Sequence, residues 1–206
     1  MKIVVAANDS LKEELSAQGL SEAAEIVWLQ EITTLPGTDV FIDLCFINDP
    51  ARVSKLKKLS ASLIIINAVN QTLHELPGNF IRINGWPTFL KRQITEASGT
   101  DNVMRAAAEK AFSFFNKSIE WVPDITGFIS TRVVSMIINE AYFTLQDKVS
   151  SKEEIDTAMK LGTNYPYGPF EWSKKIGLKN VYELLSKLAT ENKRYEPAAL
   201  LKIEAI

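Results

Sequence analysis

Short apolar runs alternate with amphipathic segments through the first half of the chain. Runs such as DVFIDLCF (39–46) and SLIIINAV (62–69) are rich in β-branched residues and show no polar alternation. This pattern is typical of strands that are buried on both faces of a parallel sheet. The predicted strands are residues 2–7, 25–29, 39–46, 62–69, 80–84 and 92–97.

The segments between these runs have helical spacing. Residues 10–19 and 102–118 predict helices, and residues 49–60 predict another, with Asp49 as its N-cap and a proline at the first helical position. With the usual right-handed crossovers, these elements predict a doubly wound α/β domain over residues 1–118.

Helical spacing continues through the second half, which predicts an all-α domain at residues 119–206. Residues 127–148 are apolar almost all round, so we expect a buried central helix there. Ser150 and Glu153 predict a capping box for the next helix, and Gly162 predicts its end.

The stretch GTNYPYGPFEWSKKIG (162–177) is dense in aromatic residues, prolines and glycines. Pro169 predicts the start of a short helix and Gly177 its end. A further helix is predicted over residues 180–192. We expect the aromatic side chains to pack the domain rather than contact a substrate.

Composition narrows the classes of partner. The 206 residues carry a formal net charge of −2, and the charged residues are spread evenly along the chain without a basic block. We therefore expect neither nucleic acid nor a membrane as a partner. No apolar run reaches membrane-spanning length, and the N-terminus lacks a signal-peptide pattern. The single cysteine, Cys45, is predicted to be a small buried residue in a reducing compartment. We therefore expect a cytoplasmic protein, and no metal site.

The first strand does not lead into a dinucleotide-binding turn. Such a turn needs the pattern G-x-G-x-x-G, so that backbone N–H groups reach a pyrophosphate. Residues 6–11 read AANDSL, without glycine, and Asp9 places a negative charge where the pyrophosphate would lie. A dinucleotide site also has an acidic residue at the end of the second strand, which binds the ribose. Glu31 lies one position beyond that point, and the simpler interpretation is an acidic residue in a solvated loop. The link from residue 29 to 39 is too short for the usual helix, so no cofactor is expected.

Four segments of the second half carry a specific set of motifs. They are GFISTRVVSMIINEA (127–141), IDTAMKLGTNYPYGPFEW (155–172), IGL (176–178) and RYEPAALLK (194–202). Together they closely resemble the C-terminal domain of the 3-hydroxyacyl-CoA dehydrogenase family. The resemblance implies a reduced Rossmann-like parallel sheet followed by an all-α domain similar to the C-terminal domain of 6-phosphogluconate dehydrogenase.

The resemblance also implies a reaction, in which a His paired with a Glu takes the hydroxyl proton of a 3-hydroxyacyl-CoA while hydride leaves to NAD. Glu96 matches the family's Glu, and the family's spacing places Asn84 at the position of the His. Asparagine has no titratable nitrogen and cannot act as a general base near neutral pH. The one histidine, His74, is predicted to be a loop residue without a catalytic role.

Other family positions differ as well. Thr131 stands where the family has an Asn that helps to hold the substrate carbonyl, and Gln71 or Thr72 falls at a family serine. Lys174 replaces an acid of the C-terminal signature. Glu96 is then either a vestigial catalytic residue or a structural hydrogen-bond acceptor.

Three interpretations of function follow. The first is a divergent family member, impaired or inactive in NAD-dependent oxidation, that binds acyl-CoA or a related small metabolite or serves as a homodimeric scaffold. The apolar helix at 127–148 is then either the dimer interface or only the core of its own domain. The alternative is an active oxidoreductase of fatty-acid β-oxidation that binds NAD in an unusual mode and uses Glu96 as base. A third is a subunit that accompanies a complete dehydrogenase or another β-oxidation enzyme.

Overall fold

A twisted sheet with helices on both faces forms the N-terminal part of the chain. The computed structural model describes residues 1–76 and 78–206, and within them the sheet has seven strands in the order β2-β1-β3-β4-β5-β6-β7. The strands are β1 (Lys2–Ala6), β2 (Glu25–Leu29), β3 (Val40–Asp43), β4 (Leu63–Asn67), β5 (Ile81–Ile83), β6 (Ile94–Ser98) and β7 (Ser118–Trp121). β1 to β5 are parallel, so the predicted reduced Rossmann-like sheet is confirmed.

The last two strands differ from the predicted arrangement. β6 runs antiparallel to β5, and β7 pairs in parallel with β6. β7 was not predicted, because SIEW alternates exposed and half-buried positions at the edge of the sheet and has no continuous apolar run. The antiparallel step has a consequence for the site, because it brings residues that follow β5 beside residues of β6.

Three helices cover the sheet, namely α1 (Asp9–Ser16), α2 (Pro50–Lys57) and α3 (Asn102–Ser113). α1 and α3 pack on one face, where Leu15 and Phe112 are fully buried. α2 packs on the other face through Val53 and Leu56. The carboxylate of Asp49 accepts hydrogen bonds from the first backbone N–H groups of α2, as predicted for an N-cap. The link between β2 and β3 contains no helix, also as predicted.

The second half is helical. Its elements are α4 (Ser130–Gln146), α5 (Lys152–Thr163), α6 (Pro169–Ile176), α7 (Leu178–Ala189) and α8 (Ala199–Ala205). The chain divides into two compact units, Met1–Phe128 and Ile129–Ile206. The boundary predicted between residues 118 and 119 falls inside β7, whose pairing with β6 keeps it in the first unit.

Three predictions for the helical unit were wrong in detail. The capping box of α5 is formed by Ser151 and Glu154, one residue later than predicted. α5 runs through Gly162, and Asn164 in the left-handed conformation ends it. α4 is not buried all round, because Val133 is 55% exposed.

The conspicuous stretch of the sequence joins α5 to α6. The carboxylate of Asp156 accepts hydrogen bonds from the backbone N–H groups of Phe170 (2.7 Å) and Glu171 (3.0 Å) at the start of α6. Glu171 in turn accepts a hydrogen bond from the backbone N–H of Gly168 at 3.1 Å. Pro169 begins α6 and Gly177, at φ +90°, ends it, as predicted. The stretch therefore satisfies the backbone groups at both ends of a short helix.

Candidate functional site

The predicted catalytic pair lies side by side in the first unit. Asn84 directly follows β5 and Glu96 lies on β6, and the antiparallel register brings them together. The backbone N–H of Asn84 donates to the carbonyl of Glu96 at 2.9 Å. The side-chain Nδ2 of Asn84 donates to Oε2 of Glu96, also at 2.9 Å. Asn84 is only 3% exposed, whereas Glu96 is half-buried. The pair is thus a fixed amide–carboxylate contact at the end of β5.

A fully buried arginine lies on the same strand. Arg82 Nε donates to the carboxylate of Asp124 at 2.5 Å, and its remaining nitrogens donate to backbone carbonyls. The acceptors are Ala68 (3.0 Å), Gln71 (2.8 Å) and Ile125 (2.5 Å). The Phe128 ring lies 4.2 Å from the guanidinium carbon. Burial lowers the pKa of Arg82, and the charge of Asp124 acts in the opposite direction.

The Arg82 network ties the segment after β4 to the segment after β7. Asp124 also accepts a hydrogen bond from the backbone N–H of Leu73 at 2.8 Å, and the backbone N–H of Gly127 donates to Val69 at 2.8 Å. A lone charge inside the apolar run FIRIN was a signal for this network that the sequence interpretation did not use.

Asn67 closes part of the carboxyl edge of the sheet. Its Nδ2 donates to the carbonyls of Leu44 and Gly85, both at 3.1 Å, and its Oδ1 accepts from the backbone N–H of Gly85 at 3.0 Å. A Cβ on Gly85 would lie 2.8 Å from Cγ of Asn67. The side chain of Asn67 therefore occupies the edge between β3 and β5, where a ligand of this fold would approach.

The turn after β1 does not fit a pyrophosphate. Oδ1 of Asn8 accepts a hydrogen bond from the backbone N–H of Leu11 at 2.9 Å, so a side chain already caps the N-terminus of α1. Asp9 adds a negative charge in the first turn. A dinucleotide needs free N–H groups and close backbone approach at this position. The residues present here do not fit NAD in the usual mode of this fold.

A second acidic group lies deeper at the same edge. Asp43, at the end of β3, is fully buried and forms two hydrogen bonds with Arg52 of α2, at 2.8 and 2.5 Å. Burial raises the pKa of Asp43, against the opposing effect of Arg52. Arg52 also lines an open cavity of about 250 Å³ together with Glu31 and Lys55. Glu31 therefore lines a small cavity that it shares with two cations, of which Arg52 is already paired with Asp43.

The other residues singled out from the sequence have different surroundings. Thr131 is on α4 in the second unit and is fully buried. Thr72 donates through its N–H and its hydroxyl to Glu75, at the start of a 3-10 helix (Leu73–Glu75) that carries the exposed His74. Cys45 is half-buried rather than fully buried, because it follows β3 at the sheet edge.

Residues 1–76 and 78–206 contain neither a metal-binding cluster nor a membrane-spanning helix. No group of three or more His, Cys, Asp or Glu side chains is arranged to hold a metal ion in that part of the chain. None of the helices there has the length and apolar character needed to cross a membrane.

The helical unit matches a known domain. Residues 127–203 match the model of the 3-hydroxyacyl-CoA dehydrogenase C-terminal domain. The chain is 40% identical over 106 residues to the 3-hydroxyadipyl-CoA dehydrogenase of Escherichia coli (strain K12), covering 49% of this chain and 22% of that protein. It is 29% identical over 167 residues to a 3-hydroxybutyryl-CoA dehydrogenase of Bradyrhizobium diazoefficiens, covering 79% of this chain and 56% of that protein. The alignments thus span little more than half of these relatives at most.

The fold as a whole also has solved counterparts. The (S)-3-hydroxybutyryl-CoA dehydrogenase of Ralstonia eutropha superposes with a TM-score of 0.76 at 23% sequence identity, over 98% of this chain and 91% of that chain. At this identity the likeness concerns the fold alone. The matched region of the family model contains the motifs from which the resemblance was predicted.

Proposed function

We propose that this chain, whose residues 127–203 match the 3-hydroxyacyl-CoA dehydrogenase C-terminal domain as its motifs predicted, is a divergent member of that family that no longer oxidises 3-hydroxyacyl-CoA with NAD and instead binds acyl-CoA. The observation that carries the proposal is the hydrogen bond from Nδ2 of Asn84 to Glu96. An amide at this position donates to the carboxylate but has no basic nitrogen with which to take a proton from a substrate hydroxyl.

The nucleotide turn supports the same conclusion independently. The N-terminus of α1 is capped by Asn8, and Asp9 repels a phosphate there. A missing general base alone lowers a rate by roughly 10²–10⁴, and a lost pyrophosphate site weakens cofactor binding in addition. Both changes lie in the first unit, whereas the family motifs of the helical unit are retained. The acyl-CoA part of the proposal rests on the names of the relatives, which act on 3-hydroxyadipyl-CoA and 3-hydroxybutyryl-CoA.

The first test is an activity assay with acetoacetyl-CoA and NADH, followed by loss of NADH absorbance. We expect no saturable turnover above a denatured control. Asn84→His restores an imidazole but not the nucleotide turn, so it is also expected to remain inactive. Turnover that Glu96→Gln abolishes, and that Glu120→Gln leaves intact, would instead establish the active alternative with Glu96 as base. Glu120 is a suitable control because it is the exposed register partner of Glu96 on β7.

The second test separates binding from catalysis. Calorimetry with NAD is expected to give no measurable heat of binding, whereas acetoacetyl-CoA or butyryl-CoA is expected to raise the melting temperature. A micromolar affinity for NAD would overturn the interpretation of the turn at residues 6–11. If acyl-CoA of every chain length leaves the melting temperature unchanged, acyl-CoA is not the ligand and a scaffold role remains. In either case the proposed location of the protein is the cytoplasm.

An exposed apolar face in the helical unit favours a scaffold role in addition. Ile129 (52%), Val133 (55%) and Phe143 (37%) are exposed along one side of α4. The same unit has an apolar groove of about 400 Å³ between α4 and α5. Exposed apolar patches of this kind are typical of protein–protein contacts. We propose that a second copy of the chain covers the exposed face of α4.

Light scattering after size exclusion tests the homodimer. The wild type is expected to elute as a dimer, and Val133→Glu is expected to shift it toward the monomer because a charge is then buried at the contact. Val103→Glu changes a more exposed valine (79%) on α3 in the other unit and is expected to leave the mass unchanged. A monomeric wild type would contradict the dimer and leave the binding proposal unaffected.

A further inference from the structure

The connection between β5 and β6, residues 84–93, is packed against the first unit rather than free at its surface. It begins at Asn84 and leads to β6, which carries Glu96. Its large apolar side chains Trp86, Phe89 and Leu90 are all buried. This connection therefore joins the two strands whose register places the residues of the candidate site side by side.

The first half of the connection is held by α1 at Thr88. The backbone N–H of Thr88 lies 2.7 and 2.8 Å from the two carboxylate oxygens of Glu14 and donates to them. Thr88 has a φ of +76°, in the left-handed region that β-branched residues disfavour. The carboxylate of Glu14 thus stabilises a backbone conformation that is unfavourable by itself.

The second half of the connection is held by a buried lysine. Lys117, directly before β7, is 4% exposed, and its ammonium group donates to the carbonyls of Leu90 (2.6 Å) and Arg92. Gln18, just beyond α1, donates through Nε2 to the intervening carbonyl of Lys91 at 2.9 Å. Three successive carbonyl groups of the connection are therefore bound by side chains from outside it.

The charge of Lys117 makes this contact dependent on pH. Burial lowers the pKa of Lys117 to about 8, and the negative charge of Glu14 acts in the opposite direction. Arg92 presents its carbonyl to the amine, while its guanidinium stacks on the Phe89 ring at 4.6 Å. If the connection lifts away, Lys117 meets water and its pKa returns toward about 10.4. Between these two values the open form binds more protons than the closed form, so opening becomes less favourable as the pH rises.

We propose that Glu14 and Lys117 form a clamp that holds residues 84–93 in place through their contacts with the backbone of Thr88, Leu90 and Arg92. Both are positioning residues for the Asn84–Glu96 pair, because they act on the segment that joins the two. The clamp acts on the conformation of the connection, whether or not the protein is catalytic.

Native-state proteolysis tests the clamp, because Lys91 and Arg92 are trypsin sites within the connection. Cleavage after these residues is measured at pH 7.5 and 9.5, relative to an unstructured peptide of residues 84–96 that corrects for the pH dependence of trypsin. Protection of the wild type is expected to rise about twentyfold between these pH values, since one proton of linkage allows at most about tenfold per pH unit.

Variants of the clamp sharpen the result. Lys117→Arg keeps donors for the two carbonyls but cannot lose its proton, and Lys117→Met has no proton to lose, so both are expected to abolish the rise. Glu14→Gln is expected to lower protection and to move the rise to lower pH. Lys110→Arg, at an exposed position of α3, is expected to behave like the wild type.

Two results would overturn the clamp. The first is a rise of protection with pH in the folded Lys117 variants that equals the rise in the wild type. If circular dichroism shows that these variants do not fold, the corresponding result is a Glu14→Gln variant whose protection rises over the same pH range as in the wild type. The second is cleavage of the wild type at Lys91 and Arg92 only together with sites throughout the first unit, which would mean that the connection does not open locally.

Discussion

Gly168 and Gly162 lie in the same stretch of the helical unit but have different surroundings. A Cβ on Gly168 would lie 2.3 Å from Oδ1 of Asp156, closer than any real contact, whereas a Cβ on Gly162 would meet nothing within 4 Å. Gly162 lies inside α5, where glycine is a poor helix former. The sequence predicted that Gly162 ends a helix. In the structure, Gly168 is instead the position at which no side chain can be accommodated.

Alanine substitutions at the two glycines are expected to have opposite effects. Gly168→Ala forces Asp156 away from the N-terminus of α6 and is expected to lower the free energy of unfolding by about 2 kcal/mol or more. Gly162→Ala is expected to leave it unchanged or to raise it by about 0.5–1 kcal/mol. Urea titrations followed by far-UV circular dichroism measure both. A Gly168→Ala variant as stable as the wild type would show that α6 does not depend on the Asp156 cap.

The candidate site shows how far residue-level prediction reaches. The spacing of Asn84 and Glu96 was enough to select two residues that the structure joins at 2.9 Å, although their roles stay predictions. Arg82 and Asn67 were not selected, because neither belongs to a recognisable motif. Their importance comes from contacts with segments distant in sequence, which spacing along the chain does not reveal.

At the scale of elements, the buried strands were predictable because their apolar runs are continuous. The weaker elements were not, since β7 is short and its residues are exposed or half-buried. Strand direction was also out of reach, because an apolar run reads the same in a parallel and an antiparallel pair. The capping box was displaced by one residue because two adjacent serines, Ser150 and Ser151, can each precede a glutamate at the right spacing.

The segments after β4 and β7 depend on one side chain for their attachment. Arg82→Met removes the partner of Asp124 and leaves the carbonyls of Ala68, Gln71 and Ile125 without their donor. Removing one member of a buried ion pair typically costs about 3–5 kcal/mol, and we expect the lower end because the side chain of Asp124 is 27% exposed.

Arg105→Met provides the matched comparison for Arg82→Met. The Arg105 guanidinium stacks on Trp121 at 4.4 Å, so its loss is expected to cost about 1 kcal/mol or less. Chemical denaturation of both variants checks the difference. Equal losses would mean that the Arg82 network contributes no more than a surface contact.

At the scale of the whole molecule, the two units have separate buried cores. The sheet of the first unit is buried between α2 on one face and α1 with α3 on the other. The second unit has its own buried set, including Phe170, Trp172, Leu184 and Leu185. A change in one core should therefore loosen that unit first.

Hydrogen exchange followed by mass spectrometry tests this separation. Gly168→Ala is expected to speed exchange within residues 129–206 while β1 to β5 keep their wild-type rates. Arg82→Met is expected to do the reverse. If each variant speeds exchange in both units to the same extent, the chain unfolds as a single cooperative body.

The contact between Asp156 and the start of α6 affects how relatives of this chain are recognised. The residues that make the stretch from Ile155 to Trp172 conspicuous are those that cap a helix and allow close approach of its N-terminus. Selection on stability alone is enough to preserve them, whatever the chemistry of another unit. Similarity in this stretch therefore indicates common ancestry but gives no information about catalysis, which depends on residues outside it.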